Sequence, residues 1–150
     1  PNLAMKDIQN EKWWADVVFG ALNNGCSSFS SWNLLLDEDG QPNTGRFPCG
    51  GLFSVNTETG KITPSTQVNL FRQFSPYVKR GAKIMAIEQP DPQLTAITIL
   101  NPNGQYVIVV AADNIPKTRQ RVQIKFKNQY LALCLPLDTW SLTTVIIDKQ

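Results

Sequence analysis

The sequence predicts two parts in series, an α/β segment followed by an antiparallel β-sandwich. Three observations carry that expectation. A helical pattern near the start stops at Asn23-Asn24-Gly25 and leads into the apolar run Leu34-Leu35-Leu36. Helix, short turn and buried strand in succession are the grammar of an α/β barrel or an open α/β sheet. From about Gly81 onward the pattern changes to short strands alone, as in a sandwich. The expected boundary therefore divides residues 1–80 from residues 81–150.

The elements follow in order. Residues 6–23 read as a helix, because Trp13/Trp14, Val17/Val18 and Ala21/Leu22 recur at four-residue spacing and make a broad apolar face. The two tryptophans read as packing groups. Asn23-Asn24-Gly25 is a stop, since Asn and Gly tolerate the left-handed conformation that ends helices. Residues 26–36 read as a strand buried on both faces. Residues 37–51 are loop, rich in Asp, Gly, Pro and Asn. Residues 52–56 and 61–63 form a small hairpin, with Gly60 at the left-handed position of its turn. Residues 65–76 make a second helix, capped by Pro64 or Ser65. The expected strands of the β part are 83–88, 94–100, 105–112, 121–127, 129–135 and 140–147. Asn101-Pro102-Asn103-Gly104 is a hairpin turn, with Pro fixing φ and Gly relieving strain. Val122, Ile124 and Phe126 alternate with charged or polar neighbours, the mark of a strand with one wet face.

Each part reads as incomplete. One strand and two helices cannot close a sheet, and a sandwich of about 70 residues is small. The expectation is a fragment or a partner-dependent module. The chain begins at Pro1 without a methionine, which reads as processing or excision from something longer.

Composition narrows the chemistry. The chain of 150 residues is 42% apolar and 17% charged, ordinary values for a globular protein. Its net charge of +2, from 14 basic and 12 acidic residues, is too mild for a nucleic-acid or anionic-membrane binder. Lys79-Arg80 with Lys83, and the stretch Arg119 to Lys127, read as solvated faces. There is no histidine, so Ser-His-Asp and Cys-His systems are excluded within this chain, and the commonest zinc ligand is missing. Cys26, Cys49 and Cys134 form no CxxC motif. They read as buried thiols, with a single Cys26–Cys49 bridge left open. No metal and no cofactor is expected. No apolar run reaches the about 18 residues of a membrane span, and no signal peptide is visible. Asp37-Glu38-Asp39 ends the apolar run at the position where barrel enzymes gather active-site groups. Three consecutive acids before Gly40 are more simply a solvated turn, and no catalytic residue is assigned.

Several motifs resemble the C-terminal part of glycoside hydrolase family 30, the glucosylceramidase-like enzymes. Ser31-Trp-Asn-Leu-Leu-Leu-Asp37 resembles the family's Trp-Asn-Leu-x-Leu-Asp/Asn strand. Glu38-Asp-Gly-Gln-Pro-Asn43 is similar to its Gly-Gly-Pro-Asn turn, and Phe74-Ser-Pro-Tyr-Val-Lys-Arg-Gly81 to its Phe-Ser-x-Phe-Ile-x-x-Gly. Asn101-Pro-Asn-Gly104 resembles the Asn-Pro-Asp-Gly hairpin of the family's terminal β domain.

The resemblance implies that residues 1–80 are the last βα portion of a (β/α)8 TIM barrel, followed by a side β-sandwich. It implies a retaining β-glycosidase, in which one carboxylic acid protonates the leaving oxygen and a second, about 5–5.5 Å away, attacks the anomeric carbon. The family's two catalytic glutamates would both precede Pro1. Trp32 then becomes a sugar platform, its indole face covering the apolar face of a pyranose. Asn33 and Asn43 hold the strand and the loop, and Arg46 and Phe47 line the pocket. The stretch Thr44-Gly-Arg-Phe47 departs from the family, as does Gln73 where the family has His. The implied partners are a β-linked carbohydrate or glycoside and an upstream barrel segment, in a secreted, periplasmic or lysosomal setting. The competing readings are a non-catalytic carbohydrate-binding module and a purely structural β-sandwich.

Overall fold

The computed structural model describes residues 8–30, 33–42, 49–88, 91–113, 121–126, 128–135 and 140–149. They belong to two compact units, 1–77 and 78–150.

In the first unit, helix α1 spans Ile8–Asn23 and helix α2 spans Thr66–Phe74. Helix α1 ends as its sequence predicts. Gly25 takes φ 96°, its N–H donates to Leu22 C=O (3.2 Å), and Cys26 N–H donates to Ala21 C=O (3.0 Å). These two bonds satisfy carbonyls that a helix end otherwise leaves open. Ala15, Val18 and Phe19 of α1 and Val68 and Leu70 of α2 are buried. Edge-to-face aromatic contacts join the helices and the segment between α1 and the sheet. Trp14 meets Phe29 at 5.9 Å between ring centroids, and Phe19 meets Phe74 at 6.2 Å. Such pairs add about 0.5–1.5 kcal/mol each beyond their buried area. Trp13 touches Trp14 edge-to-face but stays 55% exposed, so only part of the tryptophan pair packs as expected.

The sheet of this unit departs from expectation. The strand expected over 26–36 is only β1, Leu35–Asp37; residues 26–30 carry no strand. Leu34 and Leu35 are exposed, and Leu36 alone of the run is buried. Among the described residues no layer covers Leu34 and Leu35, and β1 has one neighbouring strand. It pairs in parallel with β2, Phe53–Val55, which turns back into β3, Ile62–Pro64. The β2–β3 hairpin forms where expected. Gly60 takes φ 69°, and Asn56 and Lys61 close the turn with a 2.9 Å backbone bond. Ser65 occupies the N-cap position of α2, but its hydroxyl makes no capping bond. Its N–H donates instead to Leu52 C=O at 2.8 Å, tying the start of α2 to the sheet. Pro64 lies in β3 and is not the cap.

The second unit is antiparallel throughout its described strands. A four-stranded sheet runs in the order β4 (Lys83–Met85), β5 (Leu94–Leu100), β6 (Tyr106–Ala112), β9 (Ser141–Ile147). A separate hairpin is made by β7 (Arg121–Phe126) and β8 (Gln129–Cys134). Ala96, Ile108, Val110 and Ala112 of the sheet share one apolar cluster with Ile124, Phe126 and Leu133 of the hairpin. Tyr106 meets Phe126 edge-to-face at 4.6 Å in the same layer. Ile97, Ile99, Val107 and Val109 point to the opposite face and are also buried. Strand β7 alternates as predicted, Gln123 and Lys125 exposed against half-buried Ile124 and Phe126. None of the three cysteines is in a disulfide; Cys26 and Cys134 are exposed and Cys49 is buried. Two of the three thiols therefore are not core groups, and no Cys26–Cys49 bridge forms.

The β5–β6 turn is held by a polar chain. Asn101 is 1% exposed; its Oδ1 accepts the Lys79 N–H (2.9 Å) and its Nδ2 donates to Gln105 Oε1 (3.1 Å). Gln105 Nε2 donates onward to Asp148 Oδ1 (2.7 Å). Asn101→Ala is expected to destabilise the protein by about 1–3 kcal/mol, because it removes two partners at a buried position. A urea midpoint shifted by less than about 0.5 kcal/mol in stability would show the chain of bonds to be idle.

Candidate functional site

Of the five residues singled out by sequence, Trp32, Asn43, Arg46 and Phe47 lie outside the described residues. Asn33 lies within them. It takes φ 62°, a left-handed conformation that asparagine tolerates better than most residues. Its C=O accepts the Leu52 N–H at 3.2 Å, and Leu34 C=O accepts the Phe53 N–H at 2.9 Å. These bonds extend the β1–β2 ladder back towards position 32. The Asn33 Nδ2 is buried with no hydrogen-bond partner among the described residues.

A pocket of about 260 Å³ opens beside it, lined by Phe29, Ser30, Asn33, Leu34, Leu52 and Phe71. Phe29 and Phe71 face each other across 6.4 Å between ring centroids. The volume falls just below the about 300–1,000 Å³ usual for small-molecule sites. This hollow is apolar on most sides and polar at Asn33 and Ser30. That combination suits a flat ligand with an apolar face and a few hydroxyls or carbonyls at its rim.

Of the three acids that end and follow β1, Asp37 and Glu38 engage their carboxylates in local structure. Asp37 Oδ1 accepts the N–H groups of Asp39 (3.0 Å) and Gln41 (2.6 Å), and Asp37 N–H donates to Gln41 C=O (2.7 Å). Gly40 takes φ 79°, and a Cβ there would collide with the backbone of Cys49, so glycine is required for the loop to close on itself. Glu38 is fully exposed and reaches the neighbouring turn. Its carboxylate accepts the Thr57 hydroxyl (2.7 Å) and the Thr57 N–H (3.0 Å). The Thr57 hydroxyl first, then the backbone N–H groups of Glu38 and Thr57, hold the Glu38 carboxyl below its ordinary value. Nothing here is poised as a paired acid and base. Among the described residues no group of three metal-ligating side chains is found. Phe29, Leu52, Thr57 and Phe71 were not marked by sequence. Thr57 sits 19 residues from Glu38, and only the parallel pairing of β1 and β2 brings them together.

No family model matches the sequence, and no curated protein is similar to it in sequence. Solved structures do match. SrfJ from Salmonella typhimurium is similar over 95% of this chain, with a TM-score of 0.85 and 24% identity. The endo-β1,6-glucanase BT3312 is similar over 93% of this chain, with a TM-score of 0.79 and 24% identity. Both likenesses concern fold. In each case the matched part is 31% of the other chain, so the sequence spans about a third of the length of the structures it matches.

The Glu38 clasp has a testable pH signature. A carboxyl held below its unfolded value adds stability above that value, and the contribution fades as pH falls through the lower folded value. In an NMR titration the Thr57 amide and the Glu38 carboxyl are expected to move together, with a midpoint below that of free glutamate. Thr57→Val, which removes the largest cause, should bring the midpoint part of the way back. An unmoved midpoint would show that the hydroxyl contact is not formed.

Proposed function

We propose that the chain is the C-terminal portion of a retaining β-glycosidase of the family 30 type, acting on a β-linked glucan or glycoside. The observation that carries the reading is fold likeness over 93% of the chain to an endo-β1,6-glucanase of which it spans 31%. The order of the Trp-Asn-Leu-Leu-Leu-Asp, Gly-Gln-Pro-Asn and Phe-Ser-Pro-Tyr motifs supports it from the sequence. In this reading residues 1–80 are the last βα part of a TIM barrel and residues 81–150 the side β-sandwich. The parent protein is exported, to the periplasm, the extracellular space or a lysosome. No described helix is long and apolar enough to cross a membrane.

The chain contributes binding and positioning. Trp32 offers its indole face to the C–H face of a pyranose, with Asn33 and Asn43 holding the backbone around it. Arg46 and Phe47 shape the aglycone side. The general acid and the nucleophile come from carboxylates of the remaining polypeptide. The isolated 150 residues are then inert towards glycosides, and activity requires the larger protein.

The alternative of a self-sufficient binding module draws on the pocket between Phe29 and Phe71, which lies wholly within the chain. Calorimetry separates the two. Titration of the isolated chain with β-glucan and xylan oligosaccharides gives heat for a module and none for a fragment. In the complete enzyme, Trp32→Ala is expected to lower kcat/KM by about 10- to 1,000-fold through lost stacking and positioning. An unchanged kcat/KM in a normally folded variant would remove Trp32 from the sugar site.

A further inference from the structure

The net charge of +2 hides an asymmetry between the two units. Residues 78–150 hold nine Lys and Arg against five Asp and Glu, a net +4, while residues 1–77 hold five against seven, a net −2. Within the second unit the charges also separate by the ends of the four-stranded sheet. Antiparallel pairing sets Lys83, at the start of β4, beside Leu100 at the end of β5, and Tyr106, at the start of β6, beside Ile147 at the end of β9. Lys79, Arg80, Lys83 and Lys149 therefore gather around the turn 101–105, and all four are exposed. Asn101 Oδ1 holds the Lys79 N–H (2.9 Å), and Lys149 lies over Gly104 so closely that a Cβ there would sit 2.7 Å from the lysine Cδ. Asp148 is the carboxylate at this end, and it accepts a bond from Gln105 Nε2 (2.7 Å). Among the described residues none of the four cations forms an ion pair. Acids mark the far end, where Asp91 C=O accepts the Leu94 N–H (3.1 Å) and Asp113 N–H donates to Gln93 C=O (2.9 Å). The seven residues of β5 separate the two ends by roughly 20 Å. That is about two Debye lengths at 0.1 M salt, so the far acids do not neutralise the basic end. The β7–β8 hairpin brings an aromatic group to the basic end. Its Phe126 meets Tyr106, and the neighbouring cross-strand pair Lys125 and Tyr130 is exposed, Tyr130 by 66%.

We propose that this end of the second unit binds an acidic polysaccharide, a chain whose sugar rings carry carboxylates. Lysine and arginine head groups make charge-assisted hydrogen bonds to carboxylates, roughly twice as strong as neutral ones. Strands β4 and β9 lie about 14 Å apart across the sheet, so the cations meet several units of a polymer rather than one small anion. Tyr130 adds a platform for the apolar face of a pyranose, and exposed Gln123 an amide that can donate to its hydroxyls. A lipid surface is less well matched. The groups beside Tyr130 on the outer face of the hairpin, Gln123, Lys125 and Ala132, offer no large apolar side chain to insert. The selection of a polysaccharide from among polyanions rests on Tyr130 and on the glycosidase reading; the separation of charge stands without that reading.

Calorimetry on the complete polypeptide tests this with a polygalacturonate oligosaccharide and its methyl ester, which has the same rings without the charge. The acid is expected to bind about tenfold or more tighter than the ester, and to weaken as salt is raised. Lys83→Gln combined with Lys149→Gln should weaken binding of the acid about fivefold. Arg80→Gln combined with Lys125→Gln gives the same readout should the first pair disturb folding. Tyr130→Ala is expected to cost about threefold or more in affinity for polygalacturonate through lost stacking. It should leave unchanged the binding of polyglutamate, which has the charge without the rings. Equal binding of acid and ester, or full binding in both double variants, would overturn the proposal. So would an equal loss of polyglutamate in Tyr130→Ala. Tighter binding of phosphatidylserine vesicles or a single-stranded oligonucleotide, lost in the same double variants, would replace the polysaccharide with that partner. If polygalacturonate binds in the expected pattern but no glycoside is cleaved, the site stands and the glycosidase reading falls. Cleavage of a β-glucan without that binding has the opposite meaning.

Discussion

The candidate site hangs from one constraint, the parallel pairing of β1 with β2. It consists of three residue pairs, Leu35 with Phe53, Leu36 with Ser54 and Asp37 with Val55. Because the strands run the same way, the turn after β1 and the turn after β2 lie at the same end of the sheet. Glu38 can therefore clasp Thr57 by both its hydroxyl and its N–H. The same ladder, continued through Leu52 and Asn33, fixes the backbone at the mouth of the Phe29–Phe71 pocket. An antiparallel register would send one of the two turns to the far end of the sheet. The acidic loop would then lose its cross-turn partner and the pocket its floor.

Local chemistry was legible in the sequence wherever a short motif fully determines its own backbone. The Asn-Asn-Gly stop of α1, the Gly60 turn and the Asn101–Gly104 turn each need only neighbouring residues, and each forms with glycine at positive φ. Strands β5 to β9 also appear within about a residue or two of their expected bounds, the usual uncertainty of element ends. The strand expected over 26–36 fails for a different reason. An apolar run signals that burial is favourable, but burial of Leu34 and Leu35 requires a layer packed over the faces they occupy. Leu36 is covered and its two neighbours are not. Ser65 shows the same limit on a smaller scale. Its place before α2 suits a cap, yet its backbone is claimed by Leu52, a partner that local sequence does not reveal. Of the candidate site residues, only Asn33 can be compared with expectation. Its left-handed backbone agrees with asparagine's tolerance, while its pocket neighbours Phe29, Leu52 and Phe71 come from three separate stretches.

The acids after β1 show how a suggestive cluster resolves. Carboxylates that act as a catalytic pair must face a common reacting atom across a few ångströms. Here Asp37 closes its own turn and Glu38 faces Thr57. The hydrogen bonds that Glu38 accepts favour its charged form, the reverse of what a general acid needs. The chain has no histidine, and Asp37 and Glu38 are bound up in the loop and its clasp. What the chain holds here is shape: a turn, a pocket and a ladder.

That shape is supported unevenly. In the second unit the β7–β8 hairpin lays Ile124, Phe126 and Leu133 onto the four-stranded sheet, so sheet and cover come from the same stretch of chain. In the first unit the buried side chains belong mainly to α1 and α2, and the sheet buries Leu36. Burying one leucine contributes roughly 1.5–3 kcal/mol, a small sum against the entropy of ordering nine strand residues and two turns. The sheet that carries the candidate site is thus the least self-supporting part of its unit. Its geometry depends on hydrogen bonds from Leu52, Thr57 and Ser65 more than on burial.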